Sequence, residues 1–360
     1  MKVLVVSPSR VYGGGEVFVE TIDLALRSIN THFIVSNERL KKNISAKRHV
    51  VSIYKSGRAI SILYLIIIIW KMFIKHRYDV ILLNGLPELG VFSRYLPRTR
   101  LVCVGHSEEA WCRNKVSFKK PLHALKRTIG YNFEKYLISF ICITDVTRAN
   151  VCSRYSLEAK CVNIYPTIKP FQANPSIKKG NSKLPLVFGR IGRLTAGKGN
   201  EDLILAFGQA RQLGLNMKLI FAGDGEDSSK LKKLVREMDL EEVVDFAGFM
   251  NREQFFARVD ICVSPSHHEG FPIILLEAMY SKTCIISSKV GGVPEMLNEE
   301  CAILYKAGDT DELLEAIETV AKSPEVRKRL SDCAFCRFEE NFSPDQFKIK
   351  IMEALNVRQS

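Results

Sequence analysis

The sequence predicts an α/β protein with two Rossmann-like domains, each built on a doubly wound parallel sheet. Three observations support this fold class. The chain has 360 residues, a length that suits two domains of ordinary size. Runs rich in Val and Ile alternate with helical stretches, which is the pattern of parallel sheets covered by helices on both faces. The alternation stops once, at a polar segment, and then starts again.

The first series of strands predicts an N-terminal domain over residues 1–166. Its apolar runs are the kind expected for strands that are buried on both faces. They comprise residues 3–7, 32–35, 79–84, 101–105, 140–144 and 161–165. Residues 167–184 are predicted to form the linker, because they contain Pro170, Pro175 and Gly180 together with a polar run.

The second series of strands predicts a C-terminal domain over residues 185–340. These strands comprise residues 186–191, 218–222, 243–247, 260–264, 283–287 and 302–304. Residues 341–360 are predicted to form a last helix that packs back on the N-terminal domain. Ligands of open α/β sheets bind at the carboxyl ends of the strands, so two such domains predict a cleft between facing strand ends. We therefore expect functional residues directly after strands.

The charge of the chain is uneven. The sequence has 52 Lys and Arg against 39 Asp and Glu, a net charge of +13. Residues 1–180 have 29 against 11, a charge of +18, and the remaining residues have 23 against 28, a charge of −5. A basic half predicts a polyanionic neighbour, either nucleic acid or an anionic membrane surface, and a solvated face is the alternative. We expect no nucleic acid, because no basic stretch is interleaved with aromatic residues.

Residues 59–70, AISILYLIIIIW, come nearest to a membrane-spanning stretch. A helix of this length is too short to cross about 30 Å of hydrocarbon. An apolar patch rimmed by cations predicts a helix that lies on an anionic bilayer, and a helix buried inside the protein is the alternative. The flanking cations are Lys55, Arg58, Lys71, Lys75 and Arg77. Because no signal peptide is visible, we expect a cytoplasmic protein, peripheral on the inner face of the plasma membrane.

Two glycine-bearing turns after predicted strands are candidates for ligand binding. Gly14 and Gly15 follow the first strand and precede an amphipathic helix, where backbone N–H groups can approach a phosphate or sugar closely. Gly192 follows the first strand of the C-terminal domain, with Arg193 and Lys198 close behind it. A guanidinium fork and a point cation beside a glycine turn suit a diphosphate.

Two acidic turns allow more than one interpretation. A strand leads into Asp224 and Gly225, where backbone groups could meet a nucleobase or sugar and a plain turn is equally consistent with the residues. Asp309-Thr310-Asp311 could suggest a divalent metal. It precedes a helical pattern, however, and is better explained as a helix N-cap with a first-turn acid. We therefore predict no metal site.

Residues 264–279 are the most informative stretch of the sequence. Pro272 suits the first position of a helix, so the N–H groups around residues 270–273 are predicted to form an anion site with Glu269 just outside it. Glu277 lies in an otherwise apolar helical run, and a buried carboxylate needs a hydrogen-bonding partner. Hydroxyls of a ribose or sugar are one such partner, and an internal salt bridge is the alternative.

These motifs resemble glycosyltransferase family 4, a group of retaining enzymes with the GT-B fold. The resemblance runs through most of the chain and is strongest over residues 189–294. It rests on Gly192-Arg193-Leu194 with Lys198-Gly199, on Gly223-Asp224-Gly225, and on Glu269-Gly270-Phe271-Pro272 through Glu277. The fold it implies is GT-B, with two Rossmann-like domains facing across a cleft.

The resemblance also implies residue roles. It gives catalytic roles to His106, Arg193, Lys198 and Glu269. Arg193 and Lys198 would neutralise the donor diphosphate, Glu269 would bind the transferred sugar, and His106 would lie near the reacting sugar. The donor-binding residues it implies are Gly14, Gly15, Gly192, Asp224, Gly225, Gly270, Phe271, Pro272, Ile273 and Glu277, with Glu277 at the ribose hydroxyls.

The implied reaction is retaining, metal-independent transfer from a nucleoside-diphosphate-sugar to an acceptor hydroxyl, with no cofactor beyond that co-substrate. The apolar segment 59–70 with its flanking cations further predicts a lipid-linked saccharide acceptor, as in the synthesis of a bacterial surface polysaccharide such as O-antigen, capsule or lipopolysaccharide. A sugar-nucleotide epimerase or a phosphorylase could share the architecture. Outside the enzymes, a basic nucleic-acid-binding protein is the alternative.

Overall fold

The computed structural model describes residues 1–9, 14–45, 49–52, 67–69, 71–72, 74–85, 100–106, 137–155, 160–172 and 184–356. The chain forms two compact units. One unit comprises Met1–Ile168 together with Pro344–Ser360, and the other comprises Lys169–Ser343. Residues 173–183, most of the predicted linker, lie outside the described residues.

The first unit contains a seven-stranded parallel sheet. Its strands are β1 (Lys2–Ser7), β2 (Asn30–Val35), β3 (His49–Ser52), β4 (Val80–Asn84), β5 (Arg100–Gly105), β6 (Leu137–Cys142) and β7 (Cys161–Asn163). The strand order is β3-β2-β1-β4-β5-β6-β7, and all neighbours are parallel. The order reverses between β1 and β4, which is where open sheets of this kind bind ligands.

Six strands of this sheet confirm the six predicted runs, with ends that differ by a few residues. The sequence does not predict β3, because its four residues begin with a histidine and form no sustained apolar run. Three described helices accompany the sheet before the second unit begins: α1 (Gly14–Ala25), α2 (Glu38–Asn43) and α3 (Asp145–Tyr155). α1 packs through Phe18, Val19 and Ile22, which are fully buried.

Only residues 67–69 of the apolar segment 59–70 are described, and they are helical. Ile68 and Ile69 are buried in the core of the first unit, whereas Ile67 is 43% exposed. Residues 59–66 and 70 lie outside the described residues. No helix in the described ranges has the length and apolar character needed to span a membrane.

The second unit contains a six-stranded parallel sheet. Its strands are β8 (Leu186–Ile191), β9 (Met217–Ala222), β10 (Val244–Gly248), β11 (Ile261–Ser264), β12 (Cys284–Ser288) and β13 (Ile303–Tyr305). The order β10-β9-β8-β11-β12-β13 reverses between β8 and β11. All six strands confirm predicted runs, and the two doubly wound sheets confirm the predicted α/β class.

The helices of the second unit are α4 (Asn200–Gln212), α5 (Ser228–Glu237), α6 (Arg252–Phe256), α7 (Ile273–Tyr280), α8 (Val293–Met296), α9 (Thr310–Lys322) and α10 (Pro324–Asn341). Asp309 is the N-cap of α9 and its side chain accepts from the Glu312 N–H at 3.0 Å, as predicted. Pro272 is the N-cap of α7 and not its first residue, so the predicted start of this helix is wrong by one position. The extended ψ of 104° at Pro272 delays the first helical turn to Ile273.

The last helix of the chain, α11 (Pro344–Ala354), belongs to the first unit and packs against α1. Its Phe347 ring meets the edge of Phe18 at a centroid distance of 5.3 Å, and both rings are buried. An edge-to-face aromatic pair adds to the apolar burial that holds the two helices together.

Candidate functional site

Glycine turns bring the carboxyl ends of β8, β9 and β10 into contact in the second unit. The Gly192 N–H donates to the Ala222 carbonyl at 2.9 Å, and the Gly223 N–H donates to the Gly248 carbonyl at 2.6 Å. A Cβ placed on Gly223 would lie 2.0 Å from the Gly192 carbonyl oxygen. Only glycine fits such an approach, so the turn that carries Arg193 is fixed by backbone contacts.

A second glycine contact joins the turn after β8 to the loop after β11. Gly199 has φ of 61°, and a Cβ there would lie 1.8 Å from the Pro265 carbonyl oxygen. The His267 N–H donates to the Gly197 carbonyl at 2.9 Å. These contacts hold Lys198 against the segment that contains Glu269.

Lys198 and Glu269 form an ion pair at the centre of this arrangement. The Lys198 Nζ lies 2.7 Å from Glu269 Oε1, and the side chains are 22% and 19% exposed. The Ser266 Oγ donates to the same carboxylate oxygen at 2.7 Å. Ser266 is a residue that the sequence reasoning missed, although its position three residues before a glutamate in a strand-end loop is a usable signal. The pair brings together two residues predicted to act on the same donor.

The N-terminus of α7 lies next to Glu269 in the chain. Gly270, Phe271 and Pro272 lead into the helix, and the Gly292 N–H donates to the Gly270 carbonyl at 2.8 Å. The Leu275 N–H donates to the Pro272 carbonyl at 3.0 Å, whereas the N–H groups of Ile273 and Ile274 have no acceptor within the helix and carry the positive end of its dipole. This end of the helix can therefore bind an anion.

Glu277 on α7 has a protein partner. Arg252 Nη1 lies 3.4 Å from Glu277 Oε1, and the guanidinium stacks over the Phe171 ring at 4.6 Å. Burial raises the pKa of Glu277 to about 7, an effect that the nearby Arg252 only partly opposes. The internal salt bridge left open by the sequence is therefore present. Arg252 was missed because it lies 25 residues away from Glu277 in the sequence.

Arg193 lies in the glycine turn after β8, and Asp224 and Gly225 lie in the glycine turn after β9. Arg193 is exposed and makes no side-chain hydrogen bond within the described part of the chain. Asp224 Oδ1 accepts from Ser228 Oγ at 2.7 Å and from the Gly225 N–H at 2.8 Å, and these bonds lower its pKa. The Asp224 carboxylate is thus hydrogen-bonded within its own turn. Arg193 is a cation in the turn after β8 whose side chain is exposed to solvent.

The first unit has a polar cluster at its own switch point. His106 Nε2 bonds Asn84 Oδ1, and Asn84 Nδ2 donates to Ser7 Oγ at 3.0 Å and to the Gly15 carbonyl at 3.2 Å. Burial lowers the pKa of His106 to about 4, so the imidazole is neutral at pH 7. The sequence analysis singled out His106, Gly15 and Gly14, and the last of these begins α1. It missed Ser7 and Asn84, although both end apolar strands.

Comparison with known proteins finds a family match in the second unit. Residues 173–335 match the family "Glycosyl transferases group 1". This segment is similar to the group 1 glycosyl transferases. The predicted resemblance to glycosyltransferases is confirmed, and the family number 4 stays a prediction. Lys198, Arg252, Glu269 and Glu277 lie inside the group 1 segment, whereas His106 lies outside it.

Relatives and solved structures agree with the group 1 assignment. The chain is 26% identical over 195 residues to the alpha-D-kanosaminyltransferase of Streptomyces kanamyceticus, a match over 53% of this chain and 44% of that protein. The chain therefore spans less than half the length of this curated relative. Anabaena Alr3699/HepE in complex with UDP is similar at a TM-score of 0.80 with 20% identity, over 99% of this chain and 100% of that one.

A further similar structure is the lipopolysaccharide outer core galactosyltransferase WaaB. Its TM-score is 0.73 at 19% identity, and the match covers all of both chains. At these identities the structures show the fold alone. Their fold confirms the predicted GT-B class, with two parallel-sheet Rossmann-like units.

Proposed function

We propose that the protein transfers a sugar from a nucleoside-diphosphate-sugar to an acceptor hydroxyl. The observation that carries the proposal is the Lys198–Glu269 ion pair of 2.7 Å beside the N-terminus of α7. It combines a cation, a carboxylate and a helix dipole at the carboxyl ends of parallel strands. Such a site binds a phosphate and a polyhydroxylated group side by side.

Leaving-group stabilisation would supply most of the catalysis. The bond between the sugar C1 and the phosphate oxygen breaks, and the electron pair goes to the diphosphate. Arg193, Lys198 and the first-turn N–H groups of α7 would stabilise that charge, as fixed cations and dipoles do for other phosphate leaving groups. The acceptor hydroxyl would attack from the face that the diphosphate leaves and pass its proton to the departing phosphate oxygen, so the anomeric configuration is retained.

The remaining site residues would bind the donor without reacting. Glu269 would accept hydrogen bonds from the transferred sugar, and Glu277 would accept them from the ribose. His106, being neutral, would contribute hydrogen bonds rather than charge. The Asp309 carboxylate is engaged in capping α9, which supports a reaction without a metal ion.

Incubation with a panel of nucleoside-diphosphate-sugars tests the proposal. We expect nucleoside diphosphate to be released only when donor and acceptor are both present, and to the same extent with EDTA. A new sugar nucleotide formed from donor alone would instead indicate an epimerase. Loss of activity in EDTA would contradict metal independence.

We further propose a lipid-linked saccharide acceptor at the inner face of a bacterial membrane. Three features support it: the +18 charge of residues 1–180, the exposed Ile67 and Ile74, and the fold shared with a lipopolysaccharide galactosyltransferase. Each basic residue near an anionic bilayer adds about 1 kcal/mol of binding. The purified protein should float with anionic liposomes at low salt and less with neutral ones. Failure to float with either kind of liposome, together with full activity on a soluble acceptor, would contradict the proposed membrane association.

A further inference from the structure

A histidine–aspartate pair joins the loop after β11 to the first turn of α4. His267 Nε2 lies 2.6 Å from Asp202 Oδ2, and both side chains are partly buried, at 39% and 20% exposed. A carboxylate oxygen only accepts hydrogen bonds, so Nε2 carries the proton in this contact. Asp202 lies in the first turn of α4, where the helix dipole favours a negative charge. Neither side chain takes part in the donor contacts proposed above.

His267 holds the segment around Lys198 from both sides. Its backbone N–H donates to the carbonyl of Gly197, the residue directly before the lysine, at 2.9 Å. Its imidazole reaches Asp202, four residues after the lysine. These two bonds, together with the glycine contact described above, hold the turn after β8 against the loop after β11.

The same loop determines where the ammonium group of Lys198 points. Glu269 follows His267 by two residues, and its carboxylate accepts from Lys198 Nζ and from Ser266 Oγ, both at 2.7 Å. An ammonium group has three N–H donors, so Lys198 can keep this bond and donate to a phosphate oxygen as well. The bond to Glu269 sets the direction of the remaining N–H groups. A shift of the loop after β11 would therefore redirect Lys198 even if the ion pair survived.

We propose that His267 and Asp202 are positioning residues, which fix the loop after β11 so that Glu269 directs Lys198 at the donor diphosphate. They act through Glu269 and Lys198 rather than on the substrate. The long side chains of Lys198 and Glu269 have many rotamers, and a fixed loop restricts them to those that meet at the site. This inference rests on the proposed function, because it assumes a diphosphate bound by Lys198.

A double-mutant cycle on inorganic pyrophosphate binding tests this role. Calorimetry compares the wild type, His267→Leu, Lys198→Met and the double variant. His267→Leu should weaken pyrophosphate binding about tenfold, the scale of one hydrogen bond to a charged group. In the Lys198→Met background the same substitution should cost less than about twofold, because no ammonium group is left to direct. If Lys198→Met binds pyrophosphate too weakly, the cycle uses whichever of ADP, UDP and GDP binds the wild type most tightly.

Three further variants separate this role from a general loss of structure. His267→Gln should stay within about threefold of the wild type, because its amide N–H can still donate to the Asp202 carboxylate. Asp202→Leu should match His267→Leu, and combining the two should cost no more than either alone. His268→Leu is the matched control at the exposed neighbouring histidine, and it should leave binding unchanged.

The outcomes distinguish this inference from the proposed function. An equal loss from His267→Leu in both backgrounds, or no loss in the presence of Lys198, overturns the positioning role alone. Additive losses from Asp202→Leu and His267→Leu do the same. If His267→Leu does not fold, His267→Ala takes its place in the cycle. If the wild type binds neither pyrophosphate nor ADP, UDP or GDP, the proposed function itself fails.

Discussion

Glu277 makes the stability of the second unit depend on pH. Its pKa is raised from 4.5 to about 7, so between these values the folded state holds a proton that the unfolded state has lost. Stability therefore falls as pH rises from about 4.5 to 7, and it stays lower above pH 7. The ionised form costs at most about 3 kcal/mol, at 1.36 kcal/mol per pKa unit.

We expect Glu277→Gln to raise stability at pH 8 and to weaken nucleotide binding. The amide resembles the protonated carboxyl, so the melting temperature should rise by several degrees at pH 8 and hardly change at pH 4.5. Thermal unfolding at the two pH values measures the first effect, and calorimetry with ADP, UDP and GDP measures the second.

Glu299→Gln provides the matched control, because Glu299 is 81% exposed and pairs with Lys289 at the surface. It should change neither property. Equal melting curves for Glu277→Gln and the wild type at pH 8 would show that Glu277 carries no burial cost. Unchanged nucleotide binding by Glu277→Gln would contradict the proposal that Glu277 binds the ribose.

Individual site residues could be predicted where the chain places them directly after strands or where, as at Glu277, a carboxylate interrupts an apolar helical run. Lys198 and Glu269 stand out because each follows a strand within a glycine-bearing loop. Arg252 does not, since it begins a short helix. Its importance arises from its contact with Glu277, and no sequence pattern encodes such a distant contact.

At the level of the elements, the glycine turns set the position of Lys198. Gly197 and Gly199 both have positive φ, at 76° and 61°. A Cβ on Gly197 would meet nothing within 4 Å, whereas one on Gly199 would overlap the Pro265 carbonyl. Substitution of Gly197 therefore tests backbone strain alone, whereas substitution of Gly199 tests backbone strain together with steric overlap.

Gly199→Ala should be much more damaging than Gly197→Ala. Gly197→Ala costs about 1 to 2 kcal/mol for the left-handed conformation. Gly199→Ala adds a clash with the Pro265 carbonyl that must displace the loop after β11, and Lys198 would then separate from Glu269. Urea unfolding and pyrophosphate binding measure the two effects. Equal losses in both variants would show that the contact with Pro265 has no role in the site.

Apolar runs rich in Val and Ile predicted twelve of the thirteen strands found in the described ranges, because strands buried on both faces need such runs. The exception, β3, has only four residues. The helix start at Pro272 was one residue off, since proline suits both the N-cap and the first turn and only the ψ of the chain decides between them.

For the whole molecule, the central claim is that the second unit stabilises a departing diphosphate through Lys198. The family match covers residues 173–335, while the fold similarity to a solved structure covers 99% of the chain. The first unit contains α11, most of the excess positive charge of the chain and the His106–Asn84 cluster. That this unit binds the acceptor stays a prediction.

The most direct measurement is kcat/KM for acceptor-dependent release of nucleoside diphosphate in three proteins. These are the wild type, Lys198→Ala and Lys230→Ala. Lys230 also pairs with a glutamate at 2.7 Å, but it lies exposed at the surface. Lys198→Ala should lower kcat/KM by about a hundredfold to a thousandfold, the usual effect of removing one electrostatic donor. Lys230→Ala should leave it unchanged, whereas near-normal activity of a folded Lys198→Ala protein would contradict the claim.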